Sequence, residues 1–216
     1  MKIYWIGHSS FLIEDSLGRR ILTDPFNSSI GLEPFHGQVD VVTISHDHID
    51  HNNKSILSGK ELVISEPGFF DVSFAKINGF KSYHDNCRGI KRGENTIFLI
   101  ELEDYRICHL GDLGHLLDDE LLLKLCNIDV LFIPIGGHFT LDGKTAGQLC
   151  HRINSKIIIP MHYKTPKISI PLDGPEAFIL SMKNAIKIDS SFISLKEKPS
   201  EVNKVIIFKN YNQTIK

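Results

Sequence analysis

Six consecutive residues, His46-Asp47-His48-Ile49-Asp50-His51, carry three imidazoles and two carboxylates. Imidazole nitrogen and carboxylate oxygen together suit Zn, Mn or Fe better than Ca or Mg. His46 and His48 stand two apart, so extended backbone points them to the same side. Asp47, between them, must then face elsewhere. Asp50 and His51 follow at a spacing that serves a second centre. The plain alternative is a solvated polar loop that happens to be rich in histidine, and such a density of ligand types argues against it.

A cluster of this kind needs a rigid element behind it. Residues 39–44 are apolar and rich in β-branched side chains, which reads as a buried strand ending at the cluster. His84, Asp112 and His162 also sit just beyond strand-like runs (80–83, 105–110 and 157–161), where a scaffold carries its functional loops. Singly, each also reads as an ordinary polar residue at a strand end. Taken with the cluster, they supply enough groups for two metals.

The remaining pattern gives strands over 2–6, 10–14 and 20–23, with a hairpin turn at 15–18. A Pro/Gly-marked loop or lid follows over 25–38, then a short helix over 52–57 and a strand over 61–65. Two weaker strands are expected across 69–83 around Asn78-Gly79, and a strand pair over 95–103 and 105–110. Helices are expected over 116–126, with a leucine face, over 144–153, and over 175–185 with Pro175 at the start. Strands at 129–135, 156–160, 190–195 and 204–209 complete the order. Hairpins early and strand–helix units late predict an α/β fold, two mixed sheets covered by helices, within one domain over 1–216.

Composition narrows the function classes. Of 216 residues, 42% are hydrophobic and 23% charged, and the formal net charge of −2 gives no footprint for nucleic acid or an anionic membrane. Cys87, Cys108, Cys126 and Cys150 form no CxxC pair and read as free thiols in a reducing compartment. The first residues lack an apolar run long enough for a signal peptide, and no run approaches the roughly 18 residues of a membrane span. A cytoplasmic protein is therefore expected.

The chain resembles the metallo-β-lactamase superfamily, whose HxHxDH signature is matched by His46, His48, Asp50 and His51, with His84, Asp112 and His162 in the later positions. It is more specifically similar to small metal-dependent hydrolases related to bacterial ascorbate-phosphate lactonases. The segments carrying that similarity include Trp5-Ile6-Gly7-His8-Ser9-Ser10-Phe11, Thr23-Asp24-Pro25, Arg92-Gly93-Glu94-Asn95, His109-Leu110-Gly111-Asp112 and Pro160-Met161-His162-Tyr163. The resemblance implies an αββα four-layer sandwich with two divalent metal ions, Zn first and Mn or Fe as alternatives. It implies one ion on His46, His48 and His84, the other on Asp50, His51 and His162, and Asp112 bridging them.

The activity so implied is attack by a metal-bridging hydroxide on a lactone, ester or amide of a small molecule. A phosphodiesterase acting on a nucleotide or lipid-derived phosphodiester is the alternative, and a di-iron redox or non-catalytic metal protein is a third. Asp50 and His138 are the catalytic candidates, His138 as general acid to the leaving group. Asp24 is expected to orient a ligating histidine, and His8 to touch a ligand, a substrate or neither. Lys164 is the one cation evident near the site. Substrate choice is assigned to loops 25–38, 66–80 and 164–174. Phe26, Phe35, Phe69 and Phe70 are left between pocket, interface and core, and the oligomeric state stays open.

Overall fold

The computed structural model describes residues 1–198 and 200–209. In chain order the strands are β1 (Lys2–Gly7), β2 (Ser10–Glu14), β3 (Arg20–Thr23), β4 (Val41–Thr43), β5 (Leu62–Ile64), β6 (Gly68–Val72) and β7 (Ala75–Tyr83). They continue with β8 (Glu94–Leu102), β9 (Tyr105–His109), β10 (Val130–Pro134), β11 (Ile157–Met161), β12 (Ala185–Ile188), β13 (Phe192–Ser194) and β14 (Lys204–Phe208). The helices are α1 (Asp119–Lys124), α2 (Gly143–Ile153) and α3 (Glu176–Met182). The first sheet runs β13-β1-β2-β3-β4-β5 and the second β12-β14-β11-β10-β9-β8-β7-β6. Each is mixed: β1, β2 and β3 pair antiparallel while β3, β4 and β5 run parallel. In the second sheet β6 to β9 are antiparallel, and β9 onward is parallel.

Side chains alternate across a strand, and in the central strands such as β2, β4, β10 and β11 both faces are buried, so these read as nearly unbroken apolar runs. Ile3, Trp5, Phe11, Ile13 and Ile21 join β8–β11 and the buried face of α2 in one core cluster. The rings of Phe11 and Phe132 stack 3.9 Å apart across the two sheets. The alternate residues Leu12, Leu22 and Val42 belong to a second cluster with Phe26, Ile30, Leu32, Phe35, Ile168 and Leu172. The layer outside the first sheet is thus made by the 25–38 and 164–172 loops, with short 3-10 turns at Ser28–Ile30 and Lys54–Ile56. The α/β sandwich of two mixed sheets with flanking layers is the fold class that the sequence predicts.

Four elements differ from expectation. The turn between β6 and β7 lies at Ser73-Phe74, and Asn78-Gly79 runs through the middle of β7. Gly79 is there because a Cβ would lie 2.8 Å from the Glu66 carbonyl, so the glycine permits close approach rather than a turn. The 116–126 helix shortens to α1, because the Asp118 carboxylate accepts the Leu121 amide at 2.9 Å and starts the helix there. The third helix stops at Lys183 in a left-handed conformation, and the residues beyond it form the unforeseen strand β12. The 52–57 helix is reduced to the single 3-10 turn at Lys54–Ile56. Phe26 and Phe35 are core, whereas Phe69 is 61% exposed.

Candidate metal centre

The loops that leave β1, β4, β7, β9 and β11 converge at one edge of the sandwich. They bring His8, the 46–51 segment, His84, Asp112 and His162 together. The Nε2 atoms of His162, His84, His51 and His46 stand 3.0, 3.1, 3.3 and 3.9 Å from Asp112 Oδ2. His48 completes a triad with His46 and His84, while His8, Asp50, His51 and His162 form a second group of potential ligand atoms. The seven residues singled out from the sequence therefore meet, and His8 joins them, its Nε2 3.1 Å from Asp50 Oδ2.

A second tier holds these side chains. Asp24, which follows β3, accepts the Ser45 amide at 2.7 Å and the Ser45 hydroxyl at 2.6 Å, and its Oδ2 lies 2.9 Å from His51 Nδ1. Ser45 Oγ in turn lies 2.9 Å from His46 Nδ1. With Nδ1–H donated to these oxygens, each ring keeps its Nε2 lone pair for a ligand. Nε2 of both His46 and His51 is buried without a hydrogen-bond partner, as is Asp112 Oδ1. Asn95 carries Asp112: its Oδ1 accepts the Asp112 amide at 2.9 Å, and its Nδ2 donates to the Leu110 carbonyl. His109 Nε2 donates to the Ser9 carbonyl at 2.8 Å and ties the β1–β2 turn, which carries His8, to β9. This turn and the Asp24 and His162 positions lie in the left-handed region, with φ 52 at His8, 39 at Asp24 and 50 at His162. Such positions cost on the order of 1–3 kcal/mol each and persist where the surroundings over-determine them. Gly136 lets the β10 end pass, since a Cβ there would collide with the His162 carbonyl.

The electrostatics call for cations. Burial holds the His46 imidazole down to about 3, with the nearby His51 adding to the effect, so His46 is neutral and a lone-pair donor. Burial and His162 likewise bring His8 down to about 4. Burial works to raise Asp112 and Asp50, yet the surrounding histidines hold both carboxyls well below their usual range. Burial also works to lower His51, but Asp112, Asp24 and Asp50 override it and hold that ring well above the usual imidazole range. Three carboxylates packed around buried imidazoles, with four Nε2 atoms within 3.9 Å of Asp112 Oδ2, are a donor set that fits divalent metal ions of the Zn, Mn or Fe type, and a cation bound there takes the place of the proton that these carboxylates hold on His51.

A cavity of about 480 Å³ opens on the cluster, and His48, Asp50, His84, Asp112 and His162 form its floor. Its rim is Ser29, Ile30, Ile49, Lys91, Arg92, Phe139, Ser169 and Ile170. Of the three loops assigned to substrate choice, 25–38 and 164–174 reach the rim, whereas 66–80 does not line the cavity. His138 is half exposed, with its Nε2 3.3 Å from Asp173, and it is Phe139 that turns into the cavity. Lys164 spends its ammonium on the Ile168 carbonyl at 2.6 Å, bracing its own loop. Among the described residues the cations lining the cavity are Lys91 and Arg92, neither of which the sequence reading names as a cation of the site. The available signal was their position a few residues beyond His84. No helix among the described residues is long and apolar enough to cross a membrane.

Residues 2–162 match the family model described as the beta-lactamase superfamily domain. The chain belongs to the beta-lactamase superfamily. It is 31% identical to a metal-dependent hydrolase of Methanosarcina barkeri, with 91% of this chain and 96% of the relative covered. A crystal structure from Thermotoga maritima, described as a candidate Zn-dependent hydrolase of the metallo-beta-lactamase superfamily, is 36% identical, with a TM-score of 0.81 over 96% of this chain and 97% of that one. Igni18, a metallo hydrolase from Ignicoccus hospitalis, shares the fold at 20% identity and a TM-score of 0.68, over 90% and 99% of the two chains. This member of the beta-lactamase superfamily is a metal-dependent hydrolase.

Proposed function

We propose that the chain hydrolyses a lactone, ester or amide bond in a small molecule, using two divalent cations, Zn foremost. The observation that carries this reading is the convergence of four imidazole Nε2 atoms on Asp112 Oδ2 at the floor of an open cavity. His46, His48 and His84 would hold one cation and Asp50, His51 and His162 the other, with Asp112, which four imidazoles approach, available to both. When bound, the cations supply a water that deprotonates near neutral pH and polarise the scissile carbonyl. The chain's own residues fix the geometry. Ser45 and Asp24 set the tautomers of His46 and His51. His8 Nε2 donates to Asp50 Oδ2 and holds that carboxylate at the cavity floor. The Asp50 carboxylate relays the proton of the attacking water to the leaving group; the sequence alone assigns the second half of that relay to His138, which does not line the cavity.

The cavity volume and the net charge of −2 favour a small substrate over nucleic acid. A phosphodiester is the second reading, favoured by Lys91 and Arg92 at the rim. Elemental analysis of the purified protein and of Asp112→Ala tests the centre. Near two equivalents of metal, falling in the variant, supports it. Less than half an equivalent, not restored by added Zn or Mn, sinks it. Assays with a lactone panel and bis(4-nitrophenyl) phosphate then separate the two readings.

A further inference from the structure

The residues from His84 to Gly93 form a loop organised around one carboxylate. Asp85 accepts four backbone amides: Cys87 and Gly89 on Oδ1, both at 2.8 Å, and Lys91 and Arg92 on Oδ2, both at 2.9 Å. The arrangement holds the carboxyl well below its usual range, the hydrogen bonds outweighing the opposing effect of burial. The last two of these amides belong to the two rim cations, so Asp85 fixes the backbone from which both side chains project. Arg92 is fixed again at its tip. Its guanidinium lies 4.8 Å over the Phe139 ring, and Nη2 donates to the His138 carbonyl at 2.8 Å. That leaves other N–H groups of a planar fork without a described acceptor. The Lys91 side chain is exposed and has no described partner. Two cations stand beside a cavity whose other rim residues, Ile30, Ile49, Phe139 and Ile170 among them, bear no charge. Among the described residues no carboxylate forms an ion pair with either side chain, although the chain as a whole is slightly acidic.

We propose that Lys91 and Arg92 form an anion subsite, so that the natural substrate carries a carboxylate or phosphate group away from the scissile bond and an apolar stretch between the two. The inference rests on the metal-dependent reading of the floor and adds to it the chemical class of the substrate. Arg92 supplies the fixed, forked donor and Lys91 the mobile charge that adapts to the length of the substrate. Ile30, Ile49 and Ile170 exclude water from the connecting stretch, which strengthens both contacts.

The test uses metal-loaded protein and calorimetry, with hydroxamates as probes because they anchor on a metal without being hydrolysed. Butyrohydroxamate is the neutral probe. Its ω-carboxylate counterparts with two, three and four methylenes, and an ω-phosphonate, add an anion at graded reach. In the wild type at least one anionic probe binds about tenfold or more tighter than butyrohydroxamate, and the gain shrinks as salt is raised. Lys91→Gln and Arg92→Gln each remove most of that gain, and Arg92→Lys restores part of it. Lys187→Gln, which removes the same charge from edge strand β12, outside the cavity, leaves the gain in place. Carboxylate and phosphonate arms tell which anion is preferred. If butyrohydroxamate binds and no anion improves on it, or if the gain survives in both glutamine variants, the anion subsite is overturned alone. If the protein retains less than half an equivalent of metal after loading, the metal reading falls and takes the subsite with it; if the metal is retained and neither butyrohydroxamate nor any anionic probe binds, the subsite alone is overturned.

Discussion

The floor and the rim of the cavity are built on opposite principles. Floor residues leave the ends of packed strands and are mostly buried, and the cluster they belong to is gripped from behind by Asp24 and Ser45 at His51 and His46, by Asn95 at Asp112 and by His109 at the turn that carries His8. Rim residues come from five stretches far apart in the chain, 29–30, 49, 91–92, 139 and 169–170, and they stand on loops that are tied to one another. Ser169 donates its amide to the Ile30 carbonyl at 2.9 Å, and Arg92 reaches the His138 carbonyl. The difference separates chemistry from selectivity. A reacting centre tolerates little displacement, so it stands on strands; a substrate-choosing surface can stand on loops that change without moving the centre.

This contrast can be broken in order of decreasing effect. Asp112→Ala removes the carboxylate shared by four imidazoles; metal content falls below one equivalent and kcat/KM falls by about 10³-fold or more, read by elemental analysis and turnover. Asp24→Ala touches no candidate cation, yet it strands the Ser45 amide and His51 Nδ1. Metal affinity drops by roughly 10–100-fold in chelator competition, and stability falls by about 1–3 kcal/mol. Asp85→Ala does the reverse. Metal content stays at the wild-type level while KM for an anionic substrate rises about tenfold, because only the rim loop loses its organiser. Ile30→Ala sharpens the comparison, since Ile30 belongs both to the rim and to the second apolar cluster. It costs about 2–4 kcal/mol in denaturant unfolding as well as raising KM. Lys164→Met has the smallest effect, about 1 kcal/mol with metal content unchanged, because that ammonium braces its loop at two carbonyls. An Asp85→Ala variant that lost its metal would merge floor and rim into one unit.

The floor was legible in the sequence for the reason that makes it rigid. Ligand residues cluster beside apolar strands, and both the cluster and the strands leave local patterns, as His46 to His51 after 39–44 illustrates. Asp24 was legible too, as a lone carboxylate between a strand and Pro25. The rim was not, because membership depends on which loops meet in space. Beyond their place a few residues after His84, nothing local to Lys91 and Arg92 distinguishes them from turn cations, and nothing local to Lys164 reveals that its ammonium is consumed by Ile168. His138 misled for a related reason: it follows a strand as the ligands do, but the backbone at Gly137 and His138, both left-handed, turns Phe139 inward instead. The same limit applied to the fold. Gly79 reads as a turn until the Glu66 carbonyl is seen against it, and β12 is a strand only because β14 lies alongside.

The 85–92 loop has a consequence of its own. Its internal amides are answered by its own aspartate, and its ends close on each other through the His84 amide and the Gly93 carbonyl at 3.2 Å. A segment that satisfies itself can lengthen, shorten or change charge while asking little of the sheets beneath it. The 25–38 and 164–174 loops lack that freedom, because they also roof the first sheet. In a lineage under pressure to accept new substrates, inherited change should therefore collect first between His84 and Gly93, with Asp85 kept as the knot that ties the segment shut.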